Sequence, residues 1–156
     1  MGSLFLLGVG ASVAPASAAG TWTWPVIGPV LRGYDPPAST YGAGHRGIDI
    51  AAPVGSVVVA AAAGSVTFAG PVGGNLFITL THPDGLSSTY SWVSALLVHK
   101  GDRVVAGQPI ARSGSGHPGD VVANLHVGVK LDGAYVDPML YLAALDVGSF
   151  IRLAPI

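Results

Sequence analysis

Three observations predict an all-β domain: apolar runs of strand length, turn residues between successive runs, and alternation of apolar with other residues around two histidines. Half of the 156 residues are hydrophobic and only 10% are charged, against about 25% charged in an ordinary soluble domain. The length suits one domain with its own core. A net charge of −1 without any basic cluster argues against nucleic acid as a partner. With no cysteine in the chain, stability outside the cell rests on the core or on a bound metal.

Residues 1–19 read as a signal-type segment for export. Residues 4–13 form an apolar run too short to span a bilayer, and Ala16-Ser17-Ala18 fits the small-residue pattern of a cleavage site. No Lys or Arg precedes the run, so the signal is either unusual or begins before Met1. Residues 20–156 are then a single domain, secreted or held in the cell envelope, with no membrane span in the mature chain.

The elements follow in order. Trp22-Thr23-Trp24-Pro25 opens the domain, as an edge strand or as aromatics packed beneath it. Strands are expected at 30–33, 47–51, 56–60, 64–69, 75–81 and 86–90, separated by Pro53-Val54-Gly55, Gly70-Pro71, Gly73-Gly74-Asn75 and Pro83-Asp84-Gly85. Such spacing favours a sandwich or barrel. Residues 34–44 have no period and read as a loop walling the site, from which Tyr41 reaches towards it. In 98–110 the corners Gly101-Asp102 and Gly107-Gln108 mark turn, strand, turn and strand, a purely architectural segment. Residues 113–123 form a Gly-rich loop containing His117, a hairpin turns at Asp132-Gly133, and 139–145 read as a short terminal helix after Pro138. Ile48, Ile50, Val58, Val66, Ile78, Leu125, Val127 and Val129 are the expected core. His82 and His99 read as surface residues.

The chemistry concentrates at two strands. If 47–51 is extended, Ile48 and Ile50 face the core while His45, Gly47 and Asp49 face the other way. Gly47, with no side chain, leaves room for a third body between imidazole and carboxylate. About 75 residues on, the same period puts Asn124, His126 and Gly128 on one face. His45, Asp49 and His126 thereby become candidate metal ligands. Two imidazoles and a carboxylate leave a fourth position of a tetrahedral zinc ion to water, whose pKa such an ion lowers towards about 7. A zinc that merely staples the fold would use the same residues.

Gly44-His45-x-Gly47-x-Asp49-x-Ala51-Ala52-Pro53, Tyr90, Gly101-Asp102-x-Val104-x-x-Gly107-Gln108-x-Ile110 and Leu125-His126, in that order, resemble the lysostaphin-like (LytM-type) zinc metallopeptidases. The likeness runs from about Trp24 to Leu140. It implies a compact antiparallel β fold, zinc held by His45, Asp49 and His126, and action on the peptide part of bacterial peptidoglycan. Two departures stand out. Asn124-Leu125-His126 replaces the family's His-x-His, and Tyr90-Ser91-Trp92 replaces its Tyr-x-His. In the family the replaced histidines handle protons and the developing oxyanion. Asn124 donates hydrogen bonds without titrating, and Trp92 donates only through its indole N–H. Asn124 and the loop residue His117 are the remaining catalytic candidates, with Tyr41 and Trp92 as candidate substrate contacts. The resemblance therefore leaves two functions open: an exported zinc endopeptidase of the wall, or a catalytically degenerate zinc-binding module that binds the wall or regulates a wall hydrolase.

Overall fold

A single antiparallel sheet of ten strands organises the chain, in a computed structural model that describes residues 20–145. The signal-type segment lies outside the described residues. Strands β1 (Val30–Arg32), β2 (Ile48–Ala51), β3 (Val57–Val59), β4 (Gly64–Val72) and β5 (Asn75–Thr81) are followed by the long β6 (Leu86–Leu96). After them come β7 (Arg103–Val104), β8 (Pro109–Ser113), β9 (Asn124–Leu131) and β10 (Ala134–Val136). The main path runs β1-β2-β9-β6-β5-β4-β7, with β10 on β9 and β8 joining β3 to β6. The Val-, Ile- and Thr-rich runs suit a pleated, half-buried surface. They form strands where expected.

β6 is the hub. One edge pairs with β5 over Ser87 to Val93, while the other pairs with β9 over Leu86 to Ser91 and then with β8 from Val93 onwards. Trp92 sits at the changeover. The register passes from Ser91 to Val93 across from Phe77 and Leu76, leaving Trp92 as a bulge with φ of 57°. A bulge with a bulky residue in the left-handed region is unusual, and such strain gathers at functional sites.

The expected core is the observed one. Ile48, Ile50, Val58, Val66, Ile78, Leu125, Val127 and Val129 are each 2% exposed or less. Ile48 lies opposite Val127 and Ile50 opposite Leu125, so the β2–β9 ladder buries two cross-strand apolar pairs on one face. Its other face is left for Asp49 and His126. Trp22 and Trp24 are buried beneath the domain, and the Trp24 indole N–H donates to the Ala143 carbonyl at 2.8 Å.

Two expectations need correction. The terminal helix is a single 3₁₀ turn, Pro138–Leu140, capped by the Asp137 carboxylate, which accepts from the Met139 N–H at 2.9 Å. It stops there because the next backbone groups are taken: Trp22 N–H donates to Tyr141 O and Ala143 N–H to Trp22 O, both at 2.8 Å. His82 is not a surface residue but is 7% exposed. It continues the alternation of Ile78 and Leu80 onto the core face, its Nδ1–H donates to Ala63 O at 2.8 Å, and its Nε2 lies 2.8 Å from Ser88 Oγ. Burial pushes its pKa below the usual imidazole value, with the Ala63 carbonyl opposing. His99 is on the surface, as expected, its side chain 94% exposed.

Candidate metal centre

Register builds the centre. Asp49 on β2 lies directly opposite His126 on β9, which puts carboxylate and imidazole on one face with His126 Nδ1 2.8 Å from Asp49 Oδ1. His45 precedes β2. Its backbone exchanges hydrogen bonds with Asp35, closing the 34–44 loop at its base. The loop is held further by the Arg46 guanidinium, which donates to Thr40 O at 2.7 Å and Gly42 O at 3.3 Å. His45 Nε2 thus comes within 3.1 Å of both Asp49 Oδ1 and His126 Nδ1.

Protonation follows from the neighbours. His45 Nδ1–H donates to Gly33 O at 2.8 Å, which leaves the lone pair of Nε2 turned inward, the usual arrangement for a metal-binding histidine. Burial alone would raise the Asp49 carboxyl. The hydrogen bond with His126 and the fields of His126, His45 and His117 outweigh it, so Asp49 falls below its ordinary value. Burial also holds His126 below the usual imidazole value, against the pull of Asp49. The two shifts favour a carboxylate at Asp49 and a neutral imidazole at His126, the states in which these groups ligate metal.

Gly47 makes the approach possible. A Cβ there would collide with the Val127 carbonyl and stand 2.8 Å from the Cε1 and Nε2 atoms of the His126 ring. No larger residue fits without moving the ring.

His117 joins this group from the 113–123 loop. Its Nε2 is 3.2 Å from Asp49 Oδ1 and 3.4 Å from His126 Nδ1. One ligand atom each from His45, Asp49, His117 and His126 lies within 4.8 Å of all the others. The Trp92 ring packs against His117 at a tilt of 43°, centroids 3.9 Å apart, and meets the His126 ring edge to face at 5.6 Å.

Asn124 is buried on the same strand face but turned to other work. Its Nδ2 donates to Asp120 Oδ2 at 2.7 Å and Val122 O at 3.0 Å, while Oδ1 has no partner. Tyr41 stands 98% exposed on its loop. Sequence reasoning missed Asp120, whose Oδ2 also accepts the His117 backbone N–H at 3.0 Å. The turn His117-Pro118-Gly119-Asp120 was the available signal, since Asp three residues on closes such turns.

The donor set fits zinc. Bonds of about 2.0–2.1 Å in a tetrahedron place neighbouring donor atoms about 3.3–3.4 Å apart; five of the six donor pairs here are 2.8 to 3.4 Å apart, and the sixth, His45 with His117, lies within 4.8 Å. Imidazoles with a carboxylate are the ligand types that zinc takes in catalytic sites.

Comparison with known proteins gives the family and the fold. Residues 43–138 match peptidase family M23. The catalytic domain of lysostaphin from Staphylococcus simulans superposes with a TM-score of 0.59 at 30% identity, over 69% of this chain and 86% of that domain. A zinc-containing peptidase from Vibrio cholerae gives a TM-score of 0.65 at 25% identity, over 78% of this chain and 40% of its own. The murein hydrolase activator NlpD of Escherichia coli is 38% identical over 128 residues, 78% of this chain and 31% of its own length. The chain spans between 31% and 60% of the length of the curated relatives it matches. Among the described residues no helix is long and apolar enough to cross a membrane. With more than half of the chain matched by the family and most of lysostaphin's catalytic domain covered, the chain belongs to peptidase family M23.

Proposed function

We propose that this domain is exported to the cell envelope, binds one zinc ion through His45, Asp49 and His126, and cleaves peptide bonds in the peptidoglycan wall with low turnover. The observation that carries the reading is the convergence of His45 Nε2, Asp49 Oδ1 and His126 Nδ1, 2.8 to 3.1 Å apart. A zinc ion held there supplies Lewis-acid polarisation of a peptide carbonyl and acidifies water.

The chain's own residues set the rest. Gly33 O fixes the His45 tautomer, and Gly47 keeps the approach to the His126 ring clear. Proton handling is the weak point. Trp92 does not titrate, and the Asn124 amide is engaged with Asp120 and Val122. General acid–base catalysis contributes about 10²- to 10⁴-fold, and its loss accounts for low turnover.

A second reading keeps the zinc and drops the cleavage: a module that grips wall peptide or regulates a wall hydrolase. The replaced histidines favour it, as does the likeness to a murein hydrolase activator. Incubating the full chain with purified peptidoglycan, with added zinc and with chelator, separates the two by mass spectrometry of released peptides. We expect slow release that chelator and His45→Ala both abolish. Zinc bound without release supports the regulatory reading, and a protein that binds no zinc refutes both.

A further inference from the structure

Four donors stand where an open catalytic centre needs three. Catalytic zinc keeps a position for water or substrate, whereas structural zinc is closed by four protein ligands. We propose that His117 is a fourth, protein-supplied ligand that closes this centre, with Asp120, Asn124 and Trp92 as the residues that position it. The inference rests on the zinc reading above.

His117 offers its nitrogen to the same space as the other three donors. Its Nε2 lies 3.2 Å from Asp49 Oδ1 and 3.4 Å from His126 Nδ1, and within 4.8 Å of the His45 donor atom. Ligands of a tetrahedral zinc share edges of about 3.3–3.4 Å, so two of the three edges that His117 would share are already formed.

The loop is built to keep it there. Asp120 Oδ2 accepts both the His117 N–H at 3.0 Å and Asn124 Nδ2–H at 2.7 Å, while the Asp120 N–H donates back to His117 O at 3.1 Å. One carboxylate therefore ties the loop to β9. Gly116, at φ +92°, lies so close over Asn124 that a Cβ would stand 2.5 Å from Nδ2. Trp92 packs its ring against His117 at a tilt of 43°, and Phe77 backs Trp92 with centroids 5.5 Å apart. The two positions at which this chain departs from the motifs of the family it resembles are thus among those that hold His117. Asn124 does so through Asp120, and Trp92 by a tilted ring contact.

With zinc bound, His117 would take the position that a catalytic centre keeps for water or substrate. A substrate carbonyl would then need His117 displaced. The site belongs to a latent peptidase or to a module that binds without cutting.

Zinc affinity, measured by competition with a chromogenic chelator, and the visible spectrum of the cobalt(II)-substituted protein test this without relying on activity. His117 is on the loop with its side chain 27% exposed, so His117→Ala is expected to keep the metal-free melting temperature. Removing an outer partner of a metal ligand costs about 10- to 100-fold in affinity. We expect His117→Ala to lose more than about 100-fold, and its cobalt spectrum to change as water replaces a nitrogen donor. Asp120→Ala, which loosens the loop only, is expected to lose about 10- to 100-fold with the four-coordinate spectrum kept. Wild type that binds zinc, with affinity and cobalt spectrum unaltered in His117→Ala, overturns the fourth ligand and leaves the three-ligand centre standing. Wild type that binds no zinc overturns both.

Discussion

Replacing Gly47 by alanine tests the centre through its narrowest gap. The added Cβ would stand 2.8 Å from Cε1 and Nε2 of His126 and would collide with the Val127 carbonyl. That carbonyl belongs to the β2–β9 ladder, where Val127 lies opposite Ile48, and has little freedom to shift. The imidazole must therefore yield. Carbon contacts settle near 3.5–4.0 Å, so the ring has to move by roughly 1 Å. Ligand distances tolerate about 0.2 Å. We expect zinc affinity to fall at least about 100-fold, at or beyond the upper end of what loss of an outer partner costs. Overpacking of this kind also destabilises by about 1–3 kcal/mol, or roughly 4–12 °C in melting temperature for a domain of this size. Urea denaturation of the metal-free protein and chelator competition measure the two effects separately. Gly128→Ala is the control, because its Cβ would meet Arg46 O at 3.1 Å and Tyr135 Cε1 at 3.5 Å, and would stand 4.0 Å from His126 Nε2, an ordinary contact that leaves the ring in place. If Gly47→Ala matches wild type in both assays, the placement of His126 against Gly47 is wrong.

Removing the metal should lower the melting temperature, since a ligand at 100 times its Kd stabilises by about 2.7 kcal/mol; an unchanged melt on adding chelator to zinc-loaded protein refutes a bound zinc. Stability should also fall as pH drops below 6.5, the ordinary value above which folded and unfolded His82 are both neutral. Below it the unfolded chain takes up a proton that buried His82 does not, and the loss accumulates until pH passes through the lowered native value. His82→Gln should flatten the pH dependence of urea midpoints between pH 6.5 and about 5, and a slope equal to that of wild type excludes His82 as its source.

The fold was legible because each strand announces itself locally. Ile48 and Ile50 alternate with Gly47 and Asp49, Leu125 and Val127 with Asn124 and His126, and the ladder that pairs them is the one the alternation requires. Asp49 and His126 were readable from the same period. The ends of elements were not. Apolar residues at 140–145 carry a helical composition, yet backbone bonds to Trp22, more than a hundred residues earlier, take the groups a helix would use. His82 was misread because Pro83-Asp84-Gly85 signals a turn more strongly than the alternation from Ile78 signals burial.

His117 and Asp120 were hidden for a different reason. A loop has no period, so nothing in 113–123 says which way His117 points, and its direction is settled by residues on two other elements: Asn124 on β9 and Trp92 on β6. Trp92 adopts positive φ where β6 changes partner from β9 to β8, which turns its ring to His117 instead of into the sheet. Read singly, Asn124 and Trp92 are losses, two histidines replaced by groups that do not titrate. In the fold each makes a contact that holds His117, Asn124 through the Asp120 carboxylate and Trp92 by its ring. An imidazolium at 92 would repel a metal-bound His117. The replacements are therefore consistent with one another and with a fourth donor, and a chain that restored either histidine alone would still carry the other half of the latch.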